Sequence, residues 1–249
     1  MSSEKTLALV LRTIEFSETS YVVTLFTRDF GKVRALAKGA RRPKGPFEAA
    51  LDLLGLCRIV LLRKSSDALD LLTEAKLERR FRPAGGELSN LYAAYYIAEL
   101  LNELTDEGDP HPELFDAADS ALAALRFEGN ADAVVLRFEL TALRVLGHLP
   151  SLRTCADCGK PVPPAPRVPF SQIAGGVLCA GCRSGKRQVV SVTAAVLETM
   201  QAFANGQHDG QLQEPIERKT YGELRAVMNH YFAGLLGRQP RMHRYLTNT

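Results

Sequence analysis

The sequence predicts a multi-domain α+β chain: a small β-barrel at the N-terminus, then an all-α helical domain into which a four-cysteine module is inserted. Three observations carry this expectation. Short runs of β-branched and aliphatic residues bounded by polar turns fill residues 1–82, as consecutive strands do. From Ser89 onward the apolar residues recur at intervals of three and four, the period of a helix. Cys155-Ala156-Asp157-Cys158 and Cys179-Ala180-Gly181-Cys182 then interrupt the helical pattern as two C-x2-C pairs separated by 20 residues.

The strands come first. Thr6–Phe16 and Tyr21–Phe30 flank the polar Ser17-Glu18-Thr19-Ser20. Asp29-Phe30-Gly31-Lys32 turns the chain into Val33–Lys38, and Leu53–Lys64 and Leu69–Phe81 follow, joined by Ser65-Ser66-Asp67. Glycine and short polar residues at these joints supply turn chemistry. Five strands in a domain this small suit a compact barrel better than a sandwich of seven or more. The five-stranded OB-type β-barrel is such a solution, and it binds nucleic-acid strands on one face. Residues 1–82 are therefore expected to be an OB-fold nucleic-acid-binding domain.

The pattern changes at Pro83-Ala84-Gly85-Gly86, and residues 83–249 are expected to form the helical domain. Leu91, Tyr95, Ala98 and Leu101 line one face of a first helix, with Ser89 placed to cap it and Asp109-Pro110-His111-Pro112 ending it. Pro112–Phe127 reads as a second helix closed by Gly129. Asn130 is placed to cap a third, with Val134, Phe138, Thr141 and Val145 along one face until Gly147 and Pro150. After the cysteine module at about 151–190, Thr193 is placed to cap Thr193–Ala204, and a last helix runs from about Pro215 to Leu236. Pro161–Pro169 reads as a spacer between the two cysteine pairs.

Two C-x2-C pairs at this spacing fit a four-thiolate zinc site, one Zn2+ per chain, with Cys155, Cys158, Cys179 and Cys182 as ligands. Four protein ligands leave no open position, so the metal is structural. Two disulfides are the competing reading, but they need an oxidising compartment. The N-terminus lacks a basic stretch followed by a 7–15-residue apolar core, so a cytoplasmic location is expected. A redox pair is the third reading. Cys57 sits in Leu56-Cys57-Arg58-Ile59-Val60 and reads as a buried strand residue. No run of 18 or more apolar residues suggests a membrane span.

The net charge of +3 is unevenly spread: +6 over residues 1–82, −9 over 83–150 and +6 over 151–249. Lys32, Arg34, Lys38, Arg41, Arg42 and Lys44 fall within 13 residues, and no acid occurs from Gly31 to Phe47. Glycines and a proline make Lys38-Gly39-Ala40-Arg41-Arg42-Pro43-Lys44-Gly45 a loop, expected to be exposed and mobile and to grip DNA phosphates without reading bases. OB-type sites also stack bases on aromatic rings. Phe16, Tyr21, Phe26, Phe30 and Phe47 are available; Phe26 is assigned to the core, while Tyr21 and Phe47 stay open between core and surface. Arg238-Gln239-Pro240-Arg241-Met242-His243-Arg244 forms a second basic patch. Catalytic motifs are missing: there is no G-x4-G-K-[ST], H-E-x-x-H or G-x-S-x-G, the five histidines are scattered, and the carboxylates read as lying on helix surfaces. The chain is not expected to be an enzyme.

Taken in order, these pieces resemble the bacterial recombination mediator family RecO. The resemblance rests on Phe30-Gly31-Lys32, Lys38-Gly39-Ala40-Arg41-Arg42, Phe138-Glu139-Leu140 and Leu146-Gly147-His148-Leu149-Pro150. It continues in Cys155-x2-Cys158, Phe170-Ser171 and Gly175-Gly176-Val177-Leu178-Cys179 through Cys182. It implies an OB fold, a helical domain and a zinc module. It further implies binding of single- and double-stranded DNA, annealing of complementary strands, and help in loading recombinase onto DNA coated with single-strand-binding protein, in the RecF-type pathway. The implied partners are DNA, RecR and the C-terminal tail of single-strand-binding protein, with nucleoid association. No motif fixes the partner-contact residues. A zinc-containing RNA-binding module and a protein-interaction scaffold are the alternative readings of the same features.

Overall fold

A computed structural model of the chain describes residues 3–42, 47, 50–64, 69–83, 88–127, 131–204 and 216–246. Lys44, Ser65-Ser66-Asp67, Gly85-Gly86, Gly129, Asn130 and Pro215 lie outside the described residues. Strands β1 (Ser3–Glu15), β2 (Tyr21–Thr27), β3 (Gly31–Ala37), β4 (Leu56–Leu62) and β5 (Asp70–Arg79) close a barrel in the order β1-β2-β3-β5-β4. β1 serves two neighbours: Ser3–Leu9 runs antiparallel to β4 and Ala8–Glu15 antiparallel to β2. An irregularity between Val10 and Arg12 bends it from one to the other. β3 and β5 pair in parallel.

Alternation sorts the side chains. Val23 and Leu25, Val33, Ala35 and Ala37, and Cys57, Ile59 and Leu61 point inward and are buried. Phe47, Ala50 and Leu51 from the β3–β4 connection join the same core. The Cys57 thiol donates to Ala50 O at 2.6 Å, and burial pushes its pKa up to about 12. It is the inert strand residue that its sequence context indicates. The fourth strand starts at Leu56 rather than Leu53, because Gly55 N–H donates to Asp52 O and closes a turn there.

Helices α1 (Leu88–Leu104) and α2 (Pro112–Ala124) belong to the same compact unit, which comprises residues 1–131 and 244–249. α1 begins before Ser89, so Ser89 lies within the first turn. On the outer face of the barrel Phe26 meets Phe115 of α2, ring centroids 6.1 Å apart, both buried. Arg28 and Arg79 form ion pairs with Asp116 and Asp119 of α2. The change from strand to helix composition near residue 82 and the division between compact units at 131/132 are thus different boundaries.

Gly31 shows how closely this unit is built. Its φ is +66°, and a Cβ there would lie 2.1 Å from Asp109 O. Lys32 O accepts from Gly108 N–H at 2.9 Å, so the α1–α2 connection lies directly against the start of β3. Gly31→Ala adds left-handed strain and a backbone overlap, together costing roughly 2–4 kcal/mol. A urea midpoint unchanged from the parent would refute this.

The second unit, residues 132–243, holds nearly all of α3 (Ala131–Val145), together with α5 (Ala194–Ala204), α6 (Arg218–Leu236) and a three-stranded antiparallel sheet in the order β7-β6-β8. Its strands are β6 (Arg167–Ser171), β7 (Gly176–Val177) and β8 (Val189–Thr193), with the short helix α4 (Ala180–Arg183) between the last two. A final short helix, α7, spans His243–Leu246. The proline-rich run is a spacer only in its first half; Arg167 onward is the central strand of the sheet. Thr193 N–H and hydroxyl both donate to the Glu223 carboxylate of α6, at 3.2 and 2.8 Å, so the predicted cap residue ties β8 to α6.

One carboxylate departs from the surface placement the sequence suggests. Glu139 of α3 is fully buried and receives both terminal nitrogens of Arg225 of α6, at 2.6 and 2.8 Å. Among the described residues no helix is long and apolar enough to cross a membrane.

Candidate metal centre and nucleic-acid interface

The four cysteines converge. Their sulfurs all lie within 4.8 Å of one another, and Cys158 Sγ is 3.8 Å from Cys179 Sγ. Four thiolates about 2.3 Å from a central ion form a tetrahedron with edges of roughly 3.8 Å, so the group fits a metal ion of zinc's size. The backbone sets up both knuckles. Gly159 N–H donates to Cys155 O and Cys155 N–H to Lys160 O, both at 2.8 Å. In the second, Cys182 and Arg183 N–H both donate to Cys179 O at 3.1 Å. Ala156 N–H donates to Val177 O, which fastens the first knuckle to β7.

Cys155 is buried, Cys158 exposed and the other two intermediate. Backbone N–H groups, first of Cys179 and then of Cys158, pull the Cys155 thiol down to about 6. Interaction with the Cys158 and Cys179 sulfurs raises that of Cys182. Asp157 pairs with Lys186 at 2.6 Å across the two knuckles, which lowers the carboxyl and raises the ammonium.

The six basic residues of the barrel meet different fates. Lys32 donates its ammonium to the carbonyls of Asn102 (2.6 Å) and Thr105 at the end of α1. A cation there satisfies orphan carbonyls and the negative end of the helix, while burial lowers its pKa. Lys32 is thus engaged in holding α1. Arg34, Lys38, Arg41 and Arg42 are exposed, and Lys44 lies outside the described residues. Arg34 Nε is 3.7 Å from Glu107. Arg41 bonds Glu15 Oε2 at 3.0 Å and Ser17 O at 3.3 Å, with its guanidinium 5.7 Å from the Tyr21 ring centroid. The start of the loop meets the β1–β2 turn where Arg41 N–H donates to Thr19 O, and it turns on itself where Arg42 N–H donates to Gly39 O, both at 3.0 Å.

Register adds a residue that linear reading missed. Arg12, Thr24 and Arg34 are cross-strand partners on β1, β2 and β3, which lines Arg12 up with the basic run. Ile14, Val22 and Leu36 form the next row. Of the five aromatics, Phe26 and Phe47 are buried, Tyr21 and Phe30 pack partly against the core, and Phe16 is 64% exposed. At the C-terminus Arg238 and Arg241 are exposed, and Arg244 lies over Tyr245, which stacks on Tyr92 with centroids 4.9 Å apart.

A closed five-stranded barrel followed by helices and a converging four-cysteine module defines a multi-domain OB-barrel protein. The chain belongs to the RecO family of DNA repair proteins. Residues 1–81 match the family model described as Recombination protein O N terminal, and residues 85–244 the one described as Recombination protein O C terminal. It is 41% identical over 263 residues to the DNA repair protein RecO of Rhodopirellula baltica, covering 96% of this chain and 97% of that one. The DNA repair protein RecO of Anaeromyxobacter dehalogenans is 34% identical over 246 residues, covering 99% and 96%. That of Myxococcus xanthus is 34% identical over 234 residues, covering 93% and 92%.

Proposed function

We propose that this chain is a recombination mediator that binds single- and double-stranded DNA, anneals complementary strands, and helps load recombinase onto DNA coated with single-strand-binding protein. The observation that carries the reading is the exposed basic face of the barrel, where Arg12 and Arg34 share a cross-strand row and Lys38, Arg41 and Arg42 follow from β3. Annealing needs no nucleophile. A cationic face screens the repulsion between two strands, and base pairing supplies the driving force. RecR and the tail of single-strand-binding protein are the proposed protein partners, with the work done in the cytoplasm at the nucleoid. Residues 1–82 are the proposed DNA-binding domain and 83–249 the helical domain, with one structural zinc ion in the module at 151–190.

The double variant Arg41→Glu/Arg42→Glu tests the interface. Each phosphate contact to a single strand contributes about 0.7 to the salt slope, so losing two lowers the slope by about 1.4. Affinity in fluorescence anisotropy is expected to fall at least about tenfold, and strand annealing with it. Stability is expected to hold, since the exposed Arg41–Glu15 pair contributes little. Unchanged affinity across a salt series would remove the assignment.

A further inference from the structure

We propose that Cys158 and Cys179 form a site of reversible oxidation, where a hydroperoxide joins the two sulfurs as a disulfide. In the zinc-loaded protein the new bond expels the metal, and this part rests on the zinc reading above. Cys158 is the exposed member of the four cysteines, and its sulfur lies 3.8 Å from that of Cys179, which is partly exposed. Cys155 is buried. An accessible sulfur beside a second one is the arrangement that peroxide converts to a disulfide. Exposure selects the sulfur that meets the oxidant, and proximity selects the one that completes the bond.

With hydrogen peroxide as the oxidant, the steps balance. The Cys158 thiolate attacks one peroxide oxygen; an S–O bond forms, the O–O bond breaks, and the departing hydroxide takes up a proton as water. The Cys179 thiolate then attacks the Cys158 sulfur; the S–S bond forms, the S–O bond breaks, and a second hydroxide leaves and is protonated. Two thiolates lose two electrons between them, and one peroxide is reduced to two waters. The sulfurs must close from 3.8 Å to about 2.0 Å. The chain beside Cys158 has room to follow, since a Cβ on Gly159 would meet no atom within 4 Å.

The pairing takes one sulfur from each knuckle. A metal left with Cys155 and Cys182 has lost half of a four-ligand shell and is released. The Asp157–Lys186 ion pair, 2.6 Å long, spans the two knuckles next to Cys158 and holds them together while the bond forms. The fifth thiol stands apart from this chemistry. Cys57 is buried in the barrel and donates to Ala50 O, so it serves as an internal control.

The test treats the full zinc-loaded chain with hydrogen peroxide. Released zinc is read with a chromogenic chelator, and the cysteine pairing by mass spectrometry of peptides alkylated after denaturation. One zinc released per Cys158–Cys179 disulfide is expected, with Cys155 and Cys57 recovered as alkylated thiols. A dithiol together with zinc should restore both the free thiols and the bound metal. Zinc and all thiols retained would overturn the site while leaving the zinc reading intact. So would a disulfide that pairs other cysteines, or a product that the dithiol does not reverse. A parent that carries no zinc yet forms the Cys158–Cys179 bond would overturn the zinc reading and leave the oxidation site standing.

Discussion

Replacing Cys155 with serine is expected to strip the metal and unravel residues 151–190 while the barrel stays folded. Apart from a metal, the module is held by contacts of its sheet with α6, through Thr193, Arg167 and Phe170, and by a small core of its own. That core is Val168, Phe170, Val177, Leu178 and Val192, on and beside strands of two to five residues, and a small sheet is marginal by itself. A four-thiolate zinc site contributes on the order of 10 kcal/mol to folding, more than such a core supplies. Cys155 is the most consequential of the four, because it is the buried one and its sulfur accepts N–H groups from both knuckles. Protein purified without added metal should carry about one zinc per chain, and Cys155→Ser well under half of that. Hydrogen exchange of β6 and β7 should rise in the variant, with β2 and β3 unchanged. A zinc-free parent would end the assignment, as would a variant that keeps both its metal and its protection.

What the sequence made legible follows the range of the interactions involved. The barrel strands could be read because inward Val33, Ala35 and Ala37 alternate with outward Lys32, Arg34 and Leu36 within seven residues. The four-cysteine cluster could be read because two C-x2-C pairs at this spacing bring their sulfurs together. Lys32 could not be resolved from its basic neighbours, since the carbonyls that take its ammonium belong to a helix 70 residues away. Arg12 lies outside the basic run in the sequence, and only the register of three strands puts it in one row with Arg34. The small sheet was hidden because a two-residue strand has no period, and the proline-rich run into β6 resembles a spacer. Phe16 could not be told from Phe47 by pattern; burial separates them.

The Glu139–Arg225 pair is expected to be the most sensitive point of the second unit after the metal site. Glu139 has no exposed surface and Arg225 has 4%. Their forked contact joins α3 to α6, and Arg225 also donates to Asn229 Oδ1 at 2.9 Å. Removing one partner takes the counter-charge from a buried ion, a loss of about 3–5 kcal/mol. Arg225→Met and Glu139→Leu should therefore each destabilise the second unit by about that much. The double variant should recover most of the loss, because a buried pair is often replaceable by apolar residues of similar volume. Hydrogen exchange of α3 and α6 amides measures all three. Single-variant losses under about 1 kcal/mol, or a double variant worse than either single, would show that the fork does not hold these helices together.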